Sequence, residues 1–345
     1  MSHNINRYDL QEGIEQAWHG LTTVRDRIEL DTCWLSKWDV GRTPLFAYAP
    51  GSERSRTEFD LLVCDDIDHF IGKPIGKSYG VITNQSFLVL IRTSLTGMGH
   101  KIWSVGSVRN RGRVFVTIKL DQDHVRKCAK REFQDYITFG NSHDQSSELF
   151  TANTSICTVC DNTYSMNLSI VRGQVENDDG EMEDDSVDCR LRHSKNAVSR
   201  LPAIADMIDK AIGVRAEFYK ALESFAMVKC DESKAERLFT GFEASDDAKA
   251  VSTTTRNRVG ELVSLFKRGK GNRGETLADV FQATTDYYTH SHTRKDLWKQ
   301  FEASEYGSGA SAKRQMFDTL RNGDRLERTV KRGETLLKAS IESFV

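Results

Sequence analysis

Three short polar runs in this sequence carry side chains that can move protons, bind anions or coordinate a metal. They are 139–144 (Phe-Gly-Asn-Ser-His-Asp), 160–163 (Cys-Asp-Asn-Thr) and 191–194 (Leu-Arg-His-Ser). If the runs converge in space, we expect a polar site formed by five side chains: His19, Asn141, His143, Asn162 and His193. Such a site could process a nucleotide or another small molecule. The same groups could instead fix a sheet against a helix, provided that each finds a hydrogen-bond partner.

Common catalytic signatures are missing from the sequence. It has no Gly-x-Ser-x-Gly, no phosphate loop, no dinucleotide-binding fingerprint and no His-Glu-x-x-His. Cys157, Cys160, Cys189 and His193 have spacings that zinc ligands can take, but Cys157 lies inside an apolar, strand-like run, where a buried free thiol is the usual role. We therefore predict neither a metal site nor a cofactor.

Basic residues are concentrated in the middle of the chain. Between Lys101 and Arg131 there are nine basic residues and two acids, with Glu132 just beyond. The arms 101–108 and 114–120 flank a glycine-containing turn, and the second arm alternates apolar and polar residues, which predicts a β-hairpin. Its tip holds three arginines.

Cations and aromatic rings together can hold a nucleic acid strand, because cations bind phosphates and rings stack on bases. We expect nucleic-acid contacts from the hairpin and from the basic residues before a long helix: Lys101, Trp103, Arg109, Arg111, Arg113, Lys119, Arg192 and Lys195. The alternative is that Trp103 belongs to the core and the arginines only keep a sheet edge soluble.

The rest of the pattern predicts an α+β fold, with an antiparallel sheet around the hairpin and a helical C-terminal half. We expect three segments: a mixed N-terminal one (1–75), a β-rich core (76–200) and a helical region (201–345). Further strands are predicted at Asp135–Phe139 and Ser147–Val159, and helices at Leu10–Trp18 and Asn162–Val171. The run Tyr79–Arg92 fits a strand or a helix.

The C-terminal part has helical periodicity throughout. Helices are predicted over 201–230, from Asp231 or Ser233 to Phe242, around Val259–Phe266 with an end at Gly269, and over 277–288, 295–304, 312–320 and 326–344. A flexible break is predicted at Gly307–Ala310.

Composition narrows the class of protein. Of 345 residues, 28% are charged, the formal net charge is −2, and the seven cysteines are scattered, which fits free thiols in a reducing compartment. No apolar stretch reaches the ~18 residues of a membrane span. We expect the protein to lie in the cytoplasm, which is the cytoplasm of the host cell if a phage encodes it. We expect no membrane partner. An acidic run, Glu176–Asp188, has eight acids and no base, and it is typical of a solvated loop.

Nearly the whole chain resembles a family of bacterial, phage and plasmid proteins called phage/plasmid-like, a domain of unknown function. The resemblance is carried by the three polar runs and by other blocks in the same order: 17–21 (Ala-Trp-His-Gly-Leu), 99–103 (Gly-His-Lys-Ile-Trp), 283–290 (Ala-Thr-Thr-Asp-Tyr-Tyr-Thr-His) and 306–309 (Tyr-Gly-Ser-Gly). Gln145-Ser146, where members commonly have Gly-Ser, and the acidic run depart from the pattern.

This resemblance implies an origin in a mobile element but no settled activity. In outline, strands followed by helices are similar to the single-strand annealing proteins RecT and Redβ. We therefore expect a protein that binds nucleic acid, chiefly single-stranded DNA, in phage or plasmid replication and recombination, without catalysis. Two alternatives stay open: a processing enzyme that uses the polar site, and a host-interaction protein whose acidic run meets a basic partner. The sequence leaves homo-oligomerisation open.

Overall fold

The structure is a computed structural model, and it describes these residues: 8–17, 20–48, 51, 53–67, 69–95, 101–120, 126–129, 131–157, 163–167, 174–176, 182–184, 190–201, 216–292, 296–305 and 307–342. They fall into two compact units. The first unit comprises Met1–His124, Asp135–Thr154 and Asn167–Val214; the second comprises Val125–Gln134, Ser155–Met166 and Arg215–Val345. The predicted three-segment division stays a prediction.

Strands dominate the first 200 residues and helices the remainder, so the predicted α+β class is confirmed. The strands are β1 (Gln11–Gly13), β2 (Thr22–Val24), β3 (Val40–Ala47), β4 (Ser55–Cys64), β5 (Phe70–Ile75), β6 (Lys101–Val108), β7 (Arg113–Lys119), β8 (Arg126–Cys128), β9 (Arg131–Ser142), β10 (Leu149–Cys157), β11 (Thr163–Asn167), β12 (Gln174–Glu176), β13 (Met182–Asp184) and β14 (Arg190–Leu191). The helices are α1 (Asn84–Leu95), α2 (216–227), α3 (Glu232–Glu243), α4 (Thr253–Arg268), α5 (Leu277–Asp286), α6 (Leu297–Glu305), α7 (Ser308–Arg321) and α8 (Gly323–Glu342). Within the described residues, no helix combines the length and apolarity needed to cross a membrane.

The predicted hairpin is confirmed as β6 and β7, at the centre of the main sheet. Strand order there is β10-β9-β7-β6-β1-β2, with β14 beside β10. The pairs β6·β7 and β7·β9 are antiparallel, whereas β1 and β2 are parallel. Val114, Val116 and Ile118 fill the core from one face, as their alternation predicts. Phe115, on the other face, is also buried.

Two helices predicted from local sequence are wrong, because strand pairing decides the conformation of these segments. The predicted helix at 10–18 is replaced by β1, which pairs Gln11 with Gly106 of β6. The predicted helix at 162–171 contains β11 instead. Part of the acidic run lies in β12 and β13, which pair with each other in antiparallel fashion. Pairing with a distant strand routinely overrides weak local preferences.

A three-stranded sheet, β3-β4-β5, was not predicted. Its inner face adds Val40, Leu62 and Ile71 to the hydrophobic core of the first unit. Phe59 and Phe70 are about half exposed. Irregular pairing within β3-β4 and β4-β5 interrupts the alternation that would have identified these strands.

Helix α1 resolves the ambiguous run 79–92. Asp39 starts this helix, because its carboxylate accepts hydrogen bonds from the backbone N–H of Asn84 (2.7 Å) and of Gln85 (3.3 Å). Phe87 and Ile91, one turn apart, are fully buried in the core of the first unit. Residues 80–83 form no helix or strand and lead directly into α1.

Most of the helix ends in the second unit lie where capping residues predict them. Asp231 accepts a hydrogen bond from the Lys234 N–H at 2.7 Å and begins α3, and Gly269 follows the end of α4. The predicted flexible break at 307–310 is wrong, because Ser308 begins α7 and Gly309 and Ala310 are buried. In the predicted helix 201–230, residues 202–215 lie outside the described residues.

Helices α3 and α8 cross at two glycines. A Cβ built on Gly333 would lie 1.8 Å from the Arg237 carbonyl oxygen, and one on Gly241 would lie 2.0 Å from the Thr329 carbonyl oxygen. Each helix therefore occupies space that a side chain on the other would need. Only glycine at both positions permits this crossing.

We expect Gly333→Ala to lower the free energy of unfolding by about 1–3 kcal/mol, because the two helices must move apart. Gly260→Ala in α4 is the matched control, since its Cβ would meet nothing within 4 Å. Alanine favours a helix over glycine by up to about 1 kcal/mol, so the control should be neutral or stabilising. Thermal and denaturant unfolding of both variants measure the difference, and equal stability would contradict this account of the crossing.

Candidate nucleic-acid interface and the buried polar site

Three of the five residues of the predicted polar site contact one segment of the chain, residues 80–84. His193 Nδ1 lies 3.1 Å from the Gly80 carbonyl oxygen, and Asn141 Nδ2 donates to the Ile82 carbonyl at 2.9 Å. His143 Nε2 lies 2.9 Å from Asn84 Oδ1. The contacts fall on residues 80, 82 and 84, at every second position. We call Asn141, His143 and His193 the polar clasp.

The clasp exists because segment 80–83 is largely buried yet belongs to no helix or strand. A buried carbonyl without a partner costs free energy, and irregular backbone has no ladder to supply one. Side chains from the end of β9 and from the residues after β14 supply these partners. Convergence of the polar runs 139–144 and 191–194 is thus observed, whereas His19 and Asn162 lie outside the described residues.

Close approach of backbone to backbone fixes the position of His193. A Cβ on Gly80 would lie 1.9 Å from the Ser194 carbonyl oxygen, so this position requires glycine. The Gly80 N–H donates to the His193 carbonyl at 2.9 Å. The imidazole of His193 stacks on Tyr79, with ring centres 5.0 Å apart and planes inclined by 4°.

Burial keeps both histidines of the clasp neutral. The pKa of His143 is lowered from 6.5 to about 3, chiefly by desolvation and also by the neighbouring His193, while Asp144 opposes the shift. Desolvation also lowers the pKa of His193. Because Asn84 Nδ2 donates to the Trp38 carbonyl, its Oδ1 is the acceptor, and His143 carries its proton on Nε2. This ring is held as a hydrogen-bond donor.

Two members of the clasp are closed to solvent, and the third, His193, is half-buried. Asn141 and His143 are each 1% exposed. Asn141 Oδ1 and His193 Nε2 are buried and have no hydrogen-bond partner among the residues that the structure describes. Among the described residues, no group of three or more His, Cys, Asp or Glu side chains is placed to hold a metal ion.

The tip of the hairpin does not present three arginines to solvent, contrary to the prediction. Arg111 is 7% exposed; its guanidinium lies 2.5 Å from the Asp66 carboxylate and 4.6 Å from the ring centre of Trp38. Asp9 accepts hydrogen bonds from the backbone N–H groups of Asn110 (2.8 Å) and Arg111 (2.7 Å). The arginine therefore anchors the tip inside the protein.

The other two arginines of the tip also have partners in the protein. Arg109 lies 3.7 Å from the Asp144 carboxylate, and Arg113 Nε donates to Ser146 Oγ at 2.7 Å. Backbone at 109, 110 and 111 is left-handed, with φ of 61°, 52° and 65°, an uncommon conformation for residues other than glycine. These internal contacts hold the turn, although Arg109 is exposed and Arg113 is half-buried.

At the opposite end of the hairpin, three residues predicted to bind nucleic acid lie next to one another and are accessible to solvent. Lys101 and Lys119 are direct cross-strand neighbours. Lys119 Nζ lies 4.6 Å from the ring centre of Trp103, and Trp103 contacts Tyr136 with ring centres 5.7 Å apart. Lys101 is exposed, and Trp103 and Lys119 are half-buried. We call Lys101, Trp103 and Lys119 the lysine–tryptophan cluster.

Two like charges lie directly opposite each other in this cluster. Like charges directly opposite each other on neighbouring strands destabilise a sheet, and an anion bound between them would relieve that repulsion. Burial raises the pKa of Tyr136, and the carboxylates of Glu15 and Asp135 add to the effect, so the phenol stays neutral. The cluster thus combines two cations and a half-buried indole, which contacts the neutral phenol of Tyr136.

Arg192 and Lys195 lie on the chain after β14. Both are exposed, and Arg192 Nε donates to the Glu148 carboxylate at 2.9 Å. Leu201 is the last described residue before 216, so the predicted approach of these cations to a helix terminus falls outside the described residues.

A second basic segment was not predicted from the sequence. Only its glycine at 269 was noted, as the end of a helix. Residues 267–274 read Lys-Arg-Gly-Lys-Gly-Asn-Arg-Gly and join α4 to α5. All four of their cations are exposed. The repeated spacing of basic residues and glycines was the signal that could have identified it.

These features define a class: an α+β protein in which the polar motifs form a closed clasp and the exposed cations lie elsewhere. The chain matches the family described as Domain of unknown function (DUF932) over residues 73–334, more than half of its length, and it belongs to that family. The predicted family is thereby confirmed. No curated protein and no solved structure matches the chain. The similarity to RecT and Redβ stays a prediction.

The clasp predicts how stability depends on pH. The pKa of His143 is lower in the folded than in the unfolded protein, so the folded state binds fewer protons between pH 6.5 and about 3. Stability is therefore highest above pH 6.5 and falls as the pH is lowered. One such histidine contributes up to about 1.4 kcal/mol per pH unit over this window.

We expect His143→Gln to flatten the fall in unfolding free energy between pH 6.5 and about 4.5, as measured by urea unfolding at several pH values. Ser194→Ala, at an exposed position beside the clasp, should keep the slope of the natural protein. If His143→Gln leaves the slope of the unfolding free energy against pH unchanged, His143 is not held neutral.

Proposed function

We propose that the protein binds single-stranded nucleic acid, chiefly DNA, through the lysine–tryptophan cluster. The observation that carries this proposal is the direct opposition of Lys101 and Lys119 beside the half-buried ring of Trp103. Cations of this kind bind phosphates, and an indole offers a face on which a base can stack. Arg109, Arg111 and Arg113 have no part in the proposal, since they hold the hairpin tip.

The side chains of the cluster favour a single strand over a duplex as the ligand. Stacking on Trp103 needs an unpaired base, which a duplex does not present. Lysine is a point charge that positions a phosphate but does not read a base edge, so binding should show little dependence on sequence. Such a protein suits replication or recombination in the cytoplasm, and the sequence resemblance implies an origin in a mobile element.

The enzyme alternative has weaker support. It requires Asn141, His143 and His193 to face a substrate, and the first two are buried and hold backbone or another side chain. The opposed lysines and the half-buried indole are a specific observation in favour of binding. No comparable observation favours the host-interaction alternative.

We expect Trp103→Ala to weaken binding of a labelled single-stranded oligonucleotide by roughly 5- to 100-fold, because stacking contributes about 1–3 kcal/mol per base. Trp103→Phe should restore most of the affinity. Fluorescence anisotropy measures both. Tyr48→Ala is the matched control, since this tyrosine is 73% exposed on another part of the same unit.

Replacing Lys101 and Lys119 together with Gln should reduce the dependence of affinity on salt by about 0.7 per phosphate contact. Arg111→Gln is unsuitable as a control because it leaves Asp66 without its partner. The proposal is wrong if Trp103→Ala and the double lysine variant both bind with the affinity of the natural protein.

A further inference from the structure

Residues 267–274, here called the basic loop, form the second concentration of exposed charge. The loop carries Lys267, Arg268, Lys270 and Arg273 within seven residues. Lys267 pairs with Glu232 at 2.8 Å. Over 253–273 there are six basic residues and one acid, Glu261. This stretch is strongly basic in a chain whose net charge is −2.

The backbone of the basic loop is held in one conformation from inside the second unit. Arg131 Nη2 donates to the Gly271 carbonyl at 3.3 Å and to Asn272 Oδ1 at 3.1 Å. Asn272 Nδ2 donates to the Leu265 carbonyl at 2.8 Å. Gly271 and Gly274 have φ of +85° and +71°, a conformation that glycine adopts without strain.

A buried ion pair supports this arrangement. Arg131 and Asp279 lie 2.6 Å apart, with side chains 7% and 5% exposed. Asp279 also accepts hydrogen bonds from the backbone N–H groups of Glu275 (3.1 Å) and Thr276 (3.0 Å). Because Arg131 and these backbone groups take up the charge of Asp279, this carboxylate does not neutralise the exposed cations of the loop.

The cations extend over a distance that suits a polymer. Arg256 and Arg268 are both exposed on α4, and twelve residues of helix span about 18 Å. Between them, Gly260 and Ser264 are exposed, as is the acid Glu261, and a Cβ on Gly260 would meet nothing within 4 Å. One phosphate would contact a single point of such a surface, whereas a chain of phosphates can follow it.

We propose that the basic loop and the adjoining face of α4 bind the phosphodiester backbone of the nucleic acid strand. This inference rests on the proposed function and adds a second site, in which binding is electrostatic and independent of bases. Arginine and lysine side chains would contact phosphate oxygens, and the glycines allow the strand to approach the loop backbone closely.

The test is a triple variant, Arg268→Gln, Lys270→Gln and Arg273→Gln, in the full chain. We expect its affinity for a labelled single-stranded oligonucleotide to fall about 10-fold or more at low salt, and its salt slope to fall by about 2, because each lost phosphate contact removes about 0.7. The matched control removes three exposed cations elsewhere in the second unit: Lys220→Gln, Lys249→Gln and Arg328→Gln. Thermal unfolding should show that both triple variants fold.

Three further measurements identify the ligand. Inorganic phosphate at the same ionic strength should compete only weakly, since the site favours a polymer. Vesicles with anionic lipid should bind the natural protein and the triple variant equally. Trp103→Ala should weaken oligonucleotide binding while leaving most of the salt slope, because it removes stacking and no charge.

Two results would overturn the inference while the proposed function stands: a triple variant with the oligonucleotide affinity and salt slope of the natural protein, or a loss confined to anionic vesicles. Equal losses in the triple variant and its control would also overturn it, because net charge alone would then explain binding. If the natural protein binds no oligonucleotide, both proposals are wrong. If the triple variant loses affinity for the oligonucleotide and Trp103→Ala does not, the result would support the basic loop as a binding site. It would contradict the function assigned to the lysine–tryptophan cluster.

Discussion

The structure of the first unit depends on one requirement: the backbone carbonyls of segment 80–83 are buried and must be hydrogen bonded. No strand ladder reaches them, so Asn141 and His193 bind the carbonyls of Ile82 and Gly80, and His143 binds the side chain of Asn84. This requirement explains why histidine and asparagine recur between apolar strands. It also explains why burial has to hold the histidines neutral, because a buried charged imidazole without a counter-ion would be costly.

A consequence concerns where a ligand can bind. The polar groups most suggestive of chemistry are occupied in the clasp, and the hairpin tip is occupied by Arg111 and its contacts with Asp66 and Trp38. Basic side chains are concentrated instead in two other places, the lysine–tryptophan cluster of the first unit and the basic loop of the second. Binding of a polyanion by a chain of nearly neutral net charge is consistent with such segregation.

Local signals in the sequence were sufficient for the hairpin and for most of the C-terminal helices. Alternation along 114–120 and the capping residues Asp231 and Gly269 act within a few residues, so they can be interpreted without the fold. The helix predicted at 10–18 and the missed sheet β3-β4-β5 depend on pairing between distant or irregular strands. Such pairing leaves no periodic trace in a single segment.

Only part of the candidate site could be predicted, because its other contacts also join residues that are far apart in the sequence. Convergence of the runs 139–144 and 191–194 was anticipated, but whether His143 faces a substrate or a side chain depends on the path of segment 80–83. Arg111 was expected at the surface because hairpin tips are usually exposed. Its burial results from acidic and aromatic partners far away in the sequence, Asp66 and Trp38. The basic composition of the loop is visible in the sequence, but its conformation is not, because that conformation depends on Arg131, well before it in the chain.

The most direct test of this account is NMR of the ring nitrogens of His143 and His193 in protein labelled at histidine, followed as the pH is lowered. The account predicts that neither ring titrates near 6.5, and that the proton resides on Nε2 of His143 and on Nδ1 of His193. Titration of either ring near 6.5, or the opposite tautomer in either ring, would contradict the closed polar clasp.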